Sequence, residues 1–409
     1  MRERNGIGSL LCSLRQSQTE PEVEQTLSTS QFVPKTSVAE KIDQQEEVPR
    51  VLNRKERRAQ QRAQGTGPAT ELSQIRSADP PSVSKLALSY CDEDTFQHYE
   101  ATFGYQSTRT NNFVHLALQN DTSTCAVVAS QDRIIRAYKM GEEEVDLAWS
   151  HNMGSLILDM SWEQSGKGIF ATTKFRPIQL FDTDTGDIIA TYSGKDSGDN
   201  IKEAACVGQS ENTLIGGFKG HFQLWDIDVT GDAVSKIKYF DKNYNTGIGG
   251  ISMSIHSHPN MHDLFAASGT SSRIGIYSLN WKTSVSTIEG SNRGYTHVLF
   301  SPDGLKLYAS ERNGDIHCFD TRMNMLTQIL KRDMETTHRS RFDIDRTGNF
   351  LFSGTSSGNV VVYNLSEFNE EQNPFLTVNI ATTCIPCVSV RNNKLVLCTM
   401  KFQLYTFIQ

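Results

Sequence analysis

Apolar and polar side chains alternate most clearly in residues 341–364, which read RFDIDRTGNFLFSGTSSGNVVVYN. Phe342 and Ile344 alternate with carboxylates, and two apolar runs follow at residues 350–353 and 360–363. Glycine, serine and threonine, which favour tight turns, separate the three segments. The pattern predicts three short antiparallel strands. Such a unit cannot cover both faces of its own sheet, so it needs neighbours of the same kind.

An aromatic residue at the end of an apolar run recurs along the chain. These landmarks are Tyr138, Phe181, Trp225, Tyr277, Phe319, Tyr363 and Tyr405, with successive spacings of 43, 44, 52, 42, 44 and 42 residues. A period of about 40 to 45 residues with strand and turn content is typical of WD-type propeller blades. The landmarks predict an all-β fold, a seven-bladed WD40-type β-propeller, whose longest interval is absorbed by a loop around residues 240–246.

The seventh repeat ends without a fourth strand, because the sequence stops at Gln409. A ring left open there would expose an unpaired strand edge. We therefore expect residues 95–104, which contain Phe96, Tyr99 and Phe103, to supply the missing strand and close the ring. The predicted propeller domain is then residues 95–409.

Residues 1–94 are rich in Gln, Ser, Thr, Glu and Arg and poor in aromatic residues, so we expect a largely disordered N-terminal region. Its segment 53–64, NRKERRAQQRAQ, carries dense positive charge among good helix formers. The cations of this basic arm are Arg54, Lys55, Arg57, Arg58 and Arg62. Two interpretations stay open: a solvated linker with a transient helix, or an arm for nuclear import or RNA contact.

Composition narrows the class of protein. Forty basic residues against 47 acidic ones give a net charge of -7, which argues against a protein that coats nucleic acid indiscriminately. No apolar run approaches the roughly 18 residues of a membrane span, and the first thirty residues lack a secretory pattern. We expect a soluble, intracellular protein without a membrane partner, whose eight cysteines are free thiols.

Motifs for catalysis or metal binding are weak. Cys384 and Cys387 form a CxxC, but no second pair completes a structural zinc site. Residues 354–358 match G-x-S-x-G, yet they join two predicted strands and no histidine follows them. We predict no catalytic residues, no metal site and no cofactor, and hence a protein that is not an enzyme.

Cations gather at one end of the predicted blades. The turn between the second and third strands of a blade projects onto the same face as the connection into its first strand. The residues that these turns contribute to a predicted RNA-binding face are Arg133, Lys174, Phe175, Arg176, Phe218, Lys219, Arg273, Arg293, Arg312, Arg339, Arg341 and Lys401. Cations neutralise phosphates, and exposed aromatic rings stack on unpaired bases. The alternative is that the cations pair with nearby acids such as Asp132 and Glu311.

Residues 112 to about 368 resemble the telomerase Cajal body protein family of WD-repeat proteins. The resemblance lies in NNFVHLAL, ASQDRIIRAY, RPIQLFDTDTGDIIATYS, SPDGLKLYAS and above all residues 341–364, whose RFDID and GTSSG segments are not part of the general WD consensus. It implies a nuclear scaffold that binds box H/ACA-type small Cajal body RNAs, telomerase RNA among them, together with ribonucleoprotein proteins, and delivery to Cajal bodies. We also expect a monomer, and the cytoplasm as a second compartment.

Two other functions fit a degenerate WD propeller. A generic protein-interaction scaffold would bind peptides at the same face without a steep salt dependence. A ubiquitin-ligase substrate receptor would use a Trp-Asp-x-Arg motif, of which Phe319-Asp320-Thr321-Arg322 is a single imperfect copy.

Overall fold

We analysed a computed structural model of the 409-residue chain. The residues that the structure describes are 97–102, 114–119, 124–140, 145–291, 293–312, 314–334, 338–391, 394–400 and 403–408. Their regular elements are 32 short β-strands, so the all-β prediction is confirmed for this part of the chain. Within these ranges no helix is long and apolar enough to cross a membrane.

The first three blades are four-stranded antiparallel sheets built from consecutive segments of chain. Blade 1 consists of β2 (Val114–Gln119), β3 (Cys125–Ser130), β4 (Ile134–Met140) and β5 (Val145–Asn152). Blade 2 consists of β6 (Ile157–Trp162), β7 (Gly168–Thr173), β8 (Ile178–Asp182) and β9 (Ile188–Ser193). Blade 3 consists of β10 (Cys206–Ser210), β11 (Thr213–Gly217), β12 (His221–Asp226) and β14 (Ser235–Lys238). The short β13 (Gly231–Asp232) pairs in parallel with β9, so blade 3 lends a strand to the outer edge of blade 2.

Three further blades follow the same plan. Blade 4 consists of β17 (Ser252–Ser257), β18 (Leu264–Gly269), β19 (Arg273–Ser278) and β20 (Thr283–Glu289). Blade 5 consists of β21 (Tyr295–Phe300), β22 (Lys306–Glu311), β23 (Ile316–Asp320) and β24 (Met325–Leu330). Blade 6 consists of β25 (Asp343–Ile344), β26 (Phe350–Gly354), β27 (Asn359–Asn364) and β29 (Leu376–Asn379). Its β28 (Glu371–Gln372) pairs in parallel with β24 and extends blade 5.

A composite sheet joins distant parts of the chain. Strands β30 (Cys387–Arg391), β31 (Lys394–Cys398) and β32 (Gln403–Ile408) are consecutive, and the fourth strand is β1 (Gln97–Thr102). β1 runs antiparallel to β32, with Gln97 opposite Ile408 and Thr102 opposite Gln403. This is the pairing that ring closure by residues 95–104 requires.

The number of contiguous blades is six, which differs from the seven that the landmarks predict. The difference arises because the seventh landmark, Tyr405, lies on β32 in the composite sheet. The interval predicted as a loop is also partly regular: β15 (Phe240–Asp241) and β16 (Thr246–Gly247) form a two-stranded hairpin between blades 3 and 4.

The core consists of apolar layers between neighbouring sheets. Tyr277, one of the predicted landmarks, is buried between blades 3 and 4, where its ring contacts Phe222 and Phe265. Its hydroxyl donates to the carbonyl oxygen of Tyr239 at 2.6 Å, which satisfies its polar atom inside the core. The same layering places the composite sheet between blades 6 and 1. Its apolar residues pack with those of blade 6 on one side and of blade 1 on the other.

One face of the molecule carries the turns that the sequence groups together. The amide of Lys174, in the turn after β7, donates to Leu156 just before β6 at 2.9 Å. The amide of Arg312, after β22, likewise donates to Gly294 before β21 at 3.2 Å. Since such bonds recur from blade to blade, the turns after the second strands and the connections into the first strands lie side by side, which we call the turn face.

Candidate nucleic-acid interface

Three cations and an aromatic ring meet on the turn face of blades 1 and 2. Arg133, Lys174 and Arg176 are exposed. Nη1 of Arg133 lies 3.5 Å from the carbonyl oxygen of Gly154. A Cβ placed on Gly154 would lie 3.2 Å from Nη2 of Arg176, so both guanidinium groups lie against this one glycine.

Phe175 stands between these cations in an unusual backbone conformation. Its φ is 64°, in the left-handed region, which costs a non-glycine residue roughly 1–2 kcal/mol. Its side chain is 70% exposed, and Nζ of Lys174 lies 5.0 Å from the ring centroid. Ser155 fixes the turn from the adjoining connection, since its hydroxyl donates to the Lys174 carbonyl oxygen at 2.8 Å. The ring is therefore held out toward solvent with a cation beside it. We call Arg133, Lys174, Phe175 and Arg176 the blade 1–2 patch.

The nearest acid in sequence does not neutralise this patch. Asp132 instead forms an ion pair of 2.5 Å with Arg136, and its other oxygen accepts hydrogen bonds from the Ser130 hydroxyl and the Ile134 amide. Its side chain is nearly buried. Asp132 therefore does not pair with the turn cation Arg133, because its carboxylate is bound within blade 1.

Three more predicted cations lie at turns and connections of blades 3 and 5 on the turn face. Lys219 and Arg293 are exposed and Arg312 is half-buried. Glu311 was the acid expected near them. It is buried, it lies 3.7 Å from Nε2 of His317, and burial raises its pKa. Arg293 acts on the Glu311 carboxyl in the opposite direction and lowers its pKa, so this cation is partly balanced by the acid.

Other predicted site residues serve different purposes. Phe218 is only 3% exposed and packs in the blade 2–3 core, with its ring stacked on His221, so the prediction of an exposed stacking ring there is wrong. The reason is Gly194: a Cβ at this position would lie 2.2 Å from the Phe218 ring, so the missing side chain makes room for it.

Arg273 is neutralised by Glu289 at 3.0 Å across its own blade. Lys401 and the basic arm, residues 53–64, lie outside the described residues.

Arg339 and Arg341 do not face solvent as predicted but reach across the centre of the ring. Both pair with Asp159 on β6 of blade 2, at 2.8 Å and 2.6 Å, although they precede the first strand of blade 6. Arg339 also donates to the carbonyl oxygens of Leu158 and Ala205 at 2.9 Å and 2.6 Å. The space between the first strands of the sheets is the channel, and we call this arrangement the channel clamp. It corrects the assignment of both arginines to the basic face.

Asp159 is the member of the channel clamp that no sequence pattern singled out. Its side chain is 2% exposed, against 13% and 15% for the two arginines. It also accepts hydrogen bonds from the amides of Met160 at 3.0 Å and Val207 at 2.9 Å. The carboxylate therefore joins blades 2, 3 and 6 at the channel.

A second charged group lies further along the channel. Asp343 accepts from Arg391 at 2.6 Å, from the Ser389 hydroxyl at 3.1 Å and from the Val390 amide at 3.0 Å. Two imidazoles, His256 and His297, line a cavity of about 200 Å³ beside it. Burial lowers the pKa of His256 to about 4 and holds that of His297 well below its usual value, so both rings are neutral near pH 7.

The structure describes the residues of both weak motifs, the G-x-S-x-G turn and the CxxC pair. The G-x-S-x-G turn joins β26 to β27, whereas a nucleophile elbow joins a strand to a helix. Cys387 is buried in the layer between the composite sheet and blade 1, and Cys384 lies 3.7 Å from the Met334 sulfur. Among the described residues, no group of three or more His, Cys, Asp or Glu side chains is arranged to hold a metal ion.

Comparison with known proteins finds one group of similar proteins. The chain is similar to telomerase Cajal body protein 1. It is 24% identical to the Rattus norvegicus protein over 315 residues, which cover 71% of this chain and 58% of the rat protein. The Mus musculus protein is 24% identical over 333 residues, covering 73% of this chain and 62% of the mouse protein. The Homo sapiens protein is 24% identical over 286 residues, covering 63% and 50%.

This similarity confirms the resemblance drawn from the repeats. The chain spans between 50% and 62% of the length of these three relatives. No family model matches the chain. The similarity and the propeller fold together fit a WD-repeat scaffold.

Proposed function

We propose that this protein is a non-enzymatic, RNA-binding WD-repeat scaffold. The observation that carries the proposal is the blade 1–2 patch, where exposed cations flank an exposed ring while the neighbouring acid is bound elsewhere. In a chain of net charge -7, such a local basic surface attracts a polyanion, while the net negative charge opposes non-specific binding of nucleic acid to the rest of the protein. Lys219, Arg293 and Arg312 extend this surface along the turn face.

The proposed domain is a seven-bladed ring of residues 95–409 in which the composite sheet is the seventh blade. Its support is the burial of the composite sheet between blades 6 and 1 and its β1 to β32 pairing. The N-terminal region predicted from the sequence, residues 1–94, lies outside the described residues. Its basic arm would make additional RNA contacts or direct nuclear import.

The RNA that we propose is of the box H/ACA type found in small Cajal body ribonucleoproteins, and telomerase RNA is one such partner. The support is the name of the similar proteins, which refers to telomerase and to the Cajal body, a nuclear body. We accordingly propose a nuclear, monomeric protein that works with ribonucleoprotein proteins. The name offers no support for the cytoplasm as a second compartment.

Crosslinking the protein to RNA in cells and sequencing the recovered fragments tests this function. Enrichment of one class of small nuclear RNA is expected, and recovery of no enriched class contradicts the proposal. In vitro, reversing the charges of Arg176, Lys219 and Arg312 together should weaken binding of that RNA at every salt concentration. Unchanged affinity across the salt series would show that the turn face is not the interface.

A ubiquitin-ligase substrate receptor is the second candidate. The observation in its favour is that Arg322, in the imperfect motif, is exposed and held at 2.7 Å from Asp320. A pull-down of ligase adaptor proteins that is lost with Arg322→Ala would support this alternative. Retention of RNA binding by the same variant would show that the two functions are separate.

A further inference from the structure

We infer that the blade 1–2 patch holds one unpaired nucleotide, with its base stacked on Phe175 and its phosphate bound by Arg133 and Arg176. This inference rests on the proposed RNA-binding function and assigns the place and the mode of contact. It rests on four observations: the exposure of the ring, the geometry of the turn, the convergence of two guanidinium groups, and the commitment of the nearby acid.

The ring is suited to stacking because one side of it is open and its position is fixed. The side chain is 70% exposed, and the φ of 64° turns it outward from the end of β7. The Lys174 amide and carbonyl are both hydrogen-bonded to the connection before β6, at 2.9 Å and 2.8 Å. A ring on a fixed backbone loses little further conformational entropy when a planar base covers it.

The two guanidinium groups are suited to one phosphate because both adjoin Gly154. One reaches the glycine carbonyl at 3.5 Å, and the other lies 3.2 Å from where a Cβ would be. The Gly154 amide donates to the Asn152 side chain at 2.9 Å, which fixes the turn that the arginines share. Guanidinium groups that converge in this way match the several oxygens of a phosphate better than a single carboxylate.

The two parts of the patch together favour an unpaired nucleotide over a duplex. In a duplex the base faces are covered by their neighbours, so Phe175 would gain nothing, and only the arginines would contribute. In a single strand, phosphate and base are available at once. Arg133, Arg176 and Phe175 lie together on the turn face of blades 1 and 2, where they can contact both. The partner is therefore single-stranded RNA or a loop of a folded RNA.

Fluorescence anisotropy with the full chain and a labelled 12-nucleotide oligo(U) probe tests the stacking contact, and a duplex of equal length is measured in parallel. Stacking is worth about 1–3 kcal/mol per base, so Phe175→Ala should weaken oligo(U) binding by about 5- to 150-fold. Phe175→Tyr should bind within a few-fold of the unmodified protein, because the ring is kept. Trp281→Ala, at another exposed ring in the turn between β19 and β20, is the matched control and should change nothing.

The phosphate contact is read from the salt dependence of the same binding. Each neutralised phosphate of a single strand contributes about 0.7 to the slope of log affinity against log salt. The Arg133→Gln/Arg176→Gln double variant should therefore flatten this slope by about 0.7, because the two arginines bind one phosphate between them. The matched control is Lys167→Gln/Arg322→Gln, which removes two exposed cations from the turn between β6 and β7 and the turn between β23 and β24, on the opposite face.

The outcomes distinguish a failure of this inference from a failure of the proposed RNA-binding function. If the unmodified chain binds oligo(U) in a salt-dependent way but the patch variants match their controls, the assignment of the nucleotide to the blade 1–2 patch is wrong and the RNA-binding function stands. If Phe175→Ala weakens the duplex as much as the single strand, or Phe175→Tyr fails like Phe175→Ala, stacking is wrong. If the unmodified chain binds no RNA but binds a phosphoserine peptide through these residues, both this inference and the proposed function are overturned.

Discussion

The channel clamp makes a quantitative prediction about stability. Asp159→Asn keeps the size of the side chain but removes its charge, leaving Arg339 and Arg341 beside a neutral amide. Loss of one partner from a buried ion pair costs about 3–5 kcal/mol. The arginines are 13% and 15% exposed and can shift toward water, and Arg339 keeps its two carbonyl partners. We therefore expect the lower end of this range, about 3 kcal/mol.

Guanidinium chloride unfolding, followed by intrinsic fluorescence, measures this loss. With a denaturant slope of about 5 kcal/mol/M for a domain of this size, the midpoint should fall by about 0.6 M. Arg322→Gln is the control, because it removes an exposed pair with Asp320 and should cost less than about 1 kcal/mol.

A double-mutant cycle sharpens the assignment. Arg341→Met alone should destabilise the protein, but Arg341→Met combined with Asp159→Asn should cost clearly less than the sum of the two, because the pair is removed together. An unchanged midpoint for Asp159→Asn, or strict additivity in the cycle, would refute the reasoning that these charges stabilise the ring by direct pairing.

Three further perturbations follow from the fold. His256 is buried and neutral with a pKa of about 4, below the value of about 6.5 in an unfolded chain; stability should therefore fall as pH drops from about 6.5 toward 4, and His256→Gln should flatten this acid limb in pH-dependent unfolding. Gly358→Ala should destabilise far more than Gly348→Ala in thermal unfolding, since both have positive φ but the added Cβ meets a backbone oxygen at 1.9 Å in the first case and nothing nearer than 3.4 Å in the second. Deletion of residues 97–102 leaves the edge of β32 unpaired, so it should raise the aggregated fraction in light scattering, and a monomeric deletion variant of unchanged stability would contradict the closure.

The repeat period predicted more than any single motif could. Tyr277 and Phe319 end third strands, as expected, and both are fully buried between sheets. Because every blade has the same strand order, the turns after β7 and β22 fall on one face without further information. The approximate position of β1 followed from physical necessity, since the edge of β32 needs a partner.

Side-chain direction within a turn was not predictable in the same way. Phe175 and Phe218 occupy equivalent turns in neighbouring blades, yet one ring is exposed and the other is buried. The difference depends on Gly194, which lies in a connection 24 positions away from Phe218 and leaves space for the ring. A turn sequence alone carries no information about the room that a neighbouring connection leaves.

The pairing of charges across the channel was equally hidden. Arg341 and Asp159 are 182 positions apart, and only the folded propeller brings them together. Acids close in sequence are the natural candidates for neutralising the turn cations, but Asp132 forms its ion pair with Arg136, within its own blade. Partner choice follows distance in the folded ring, which the order of residues does not reveal.

The arginines of the channel clamp and those of the blade 1–2 patch should therefore be separable by experiment. Arg339 and Arg341 are bound to Asp159, so their substitution should lower the unfolding midpoint and affect RNA only through loss of folded protein. Arg133 and Arg176 are exposed against Gly154, so their substitution should leave the free energy of unfolding within about 0.5 kcal/mol of that of the unmodified chain while flattening the salt dependence of RNA binding. Measuring unfolding and RNA affinity on the same four single variants tests this division. A channel variant that stays folded yet loses RNA, or a patch variant that unfolds early, would place RNA binding and ring stability on the same side chains.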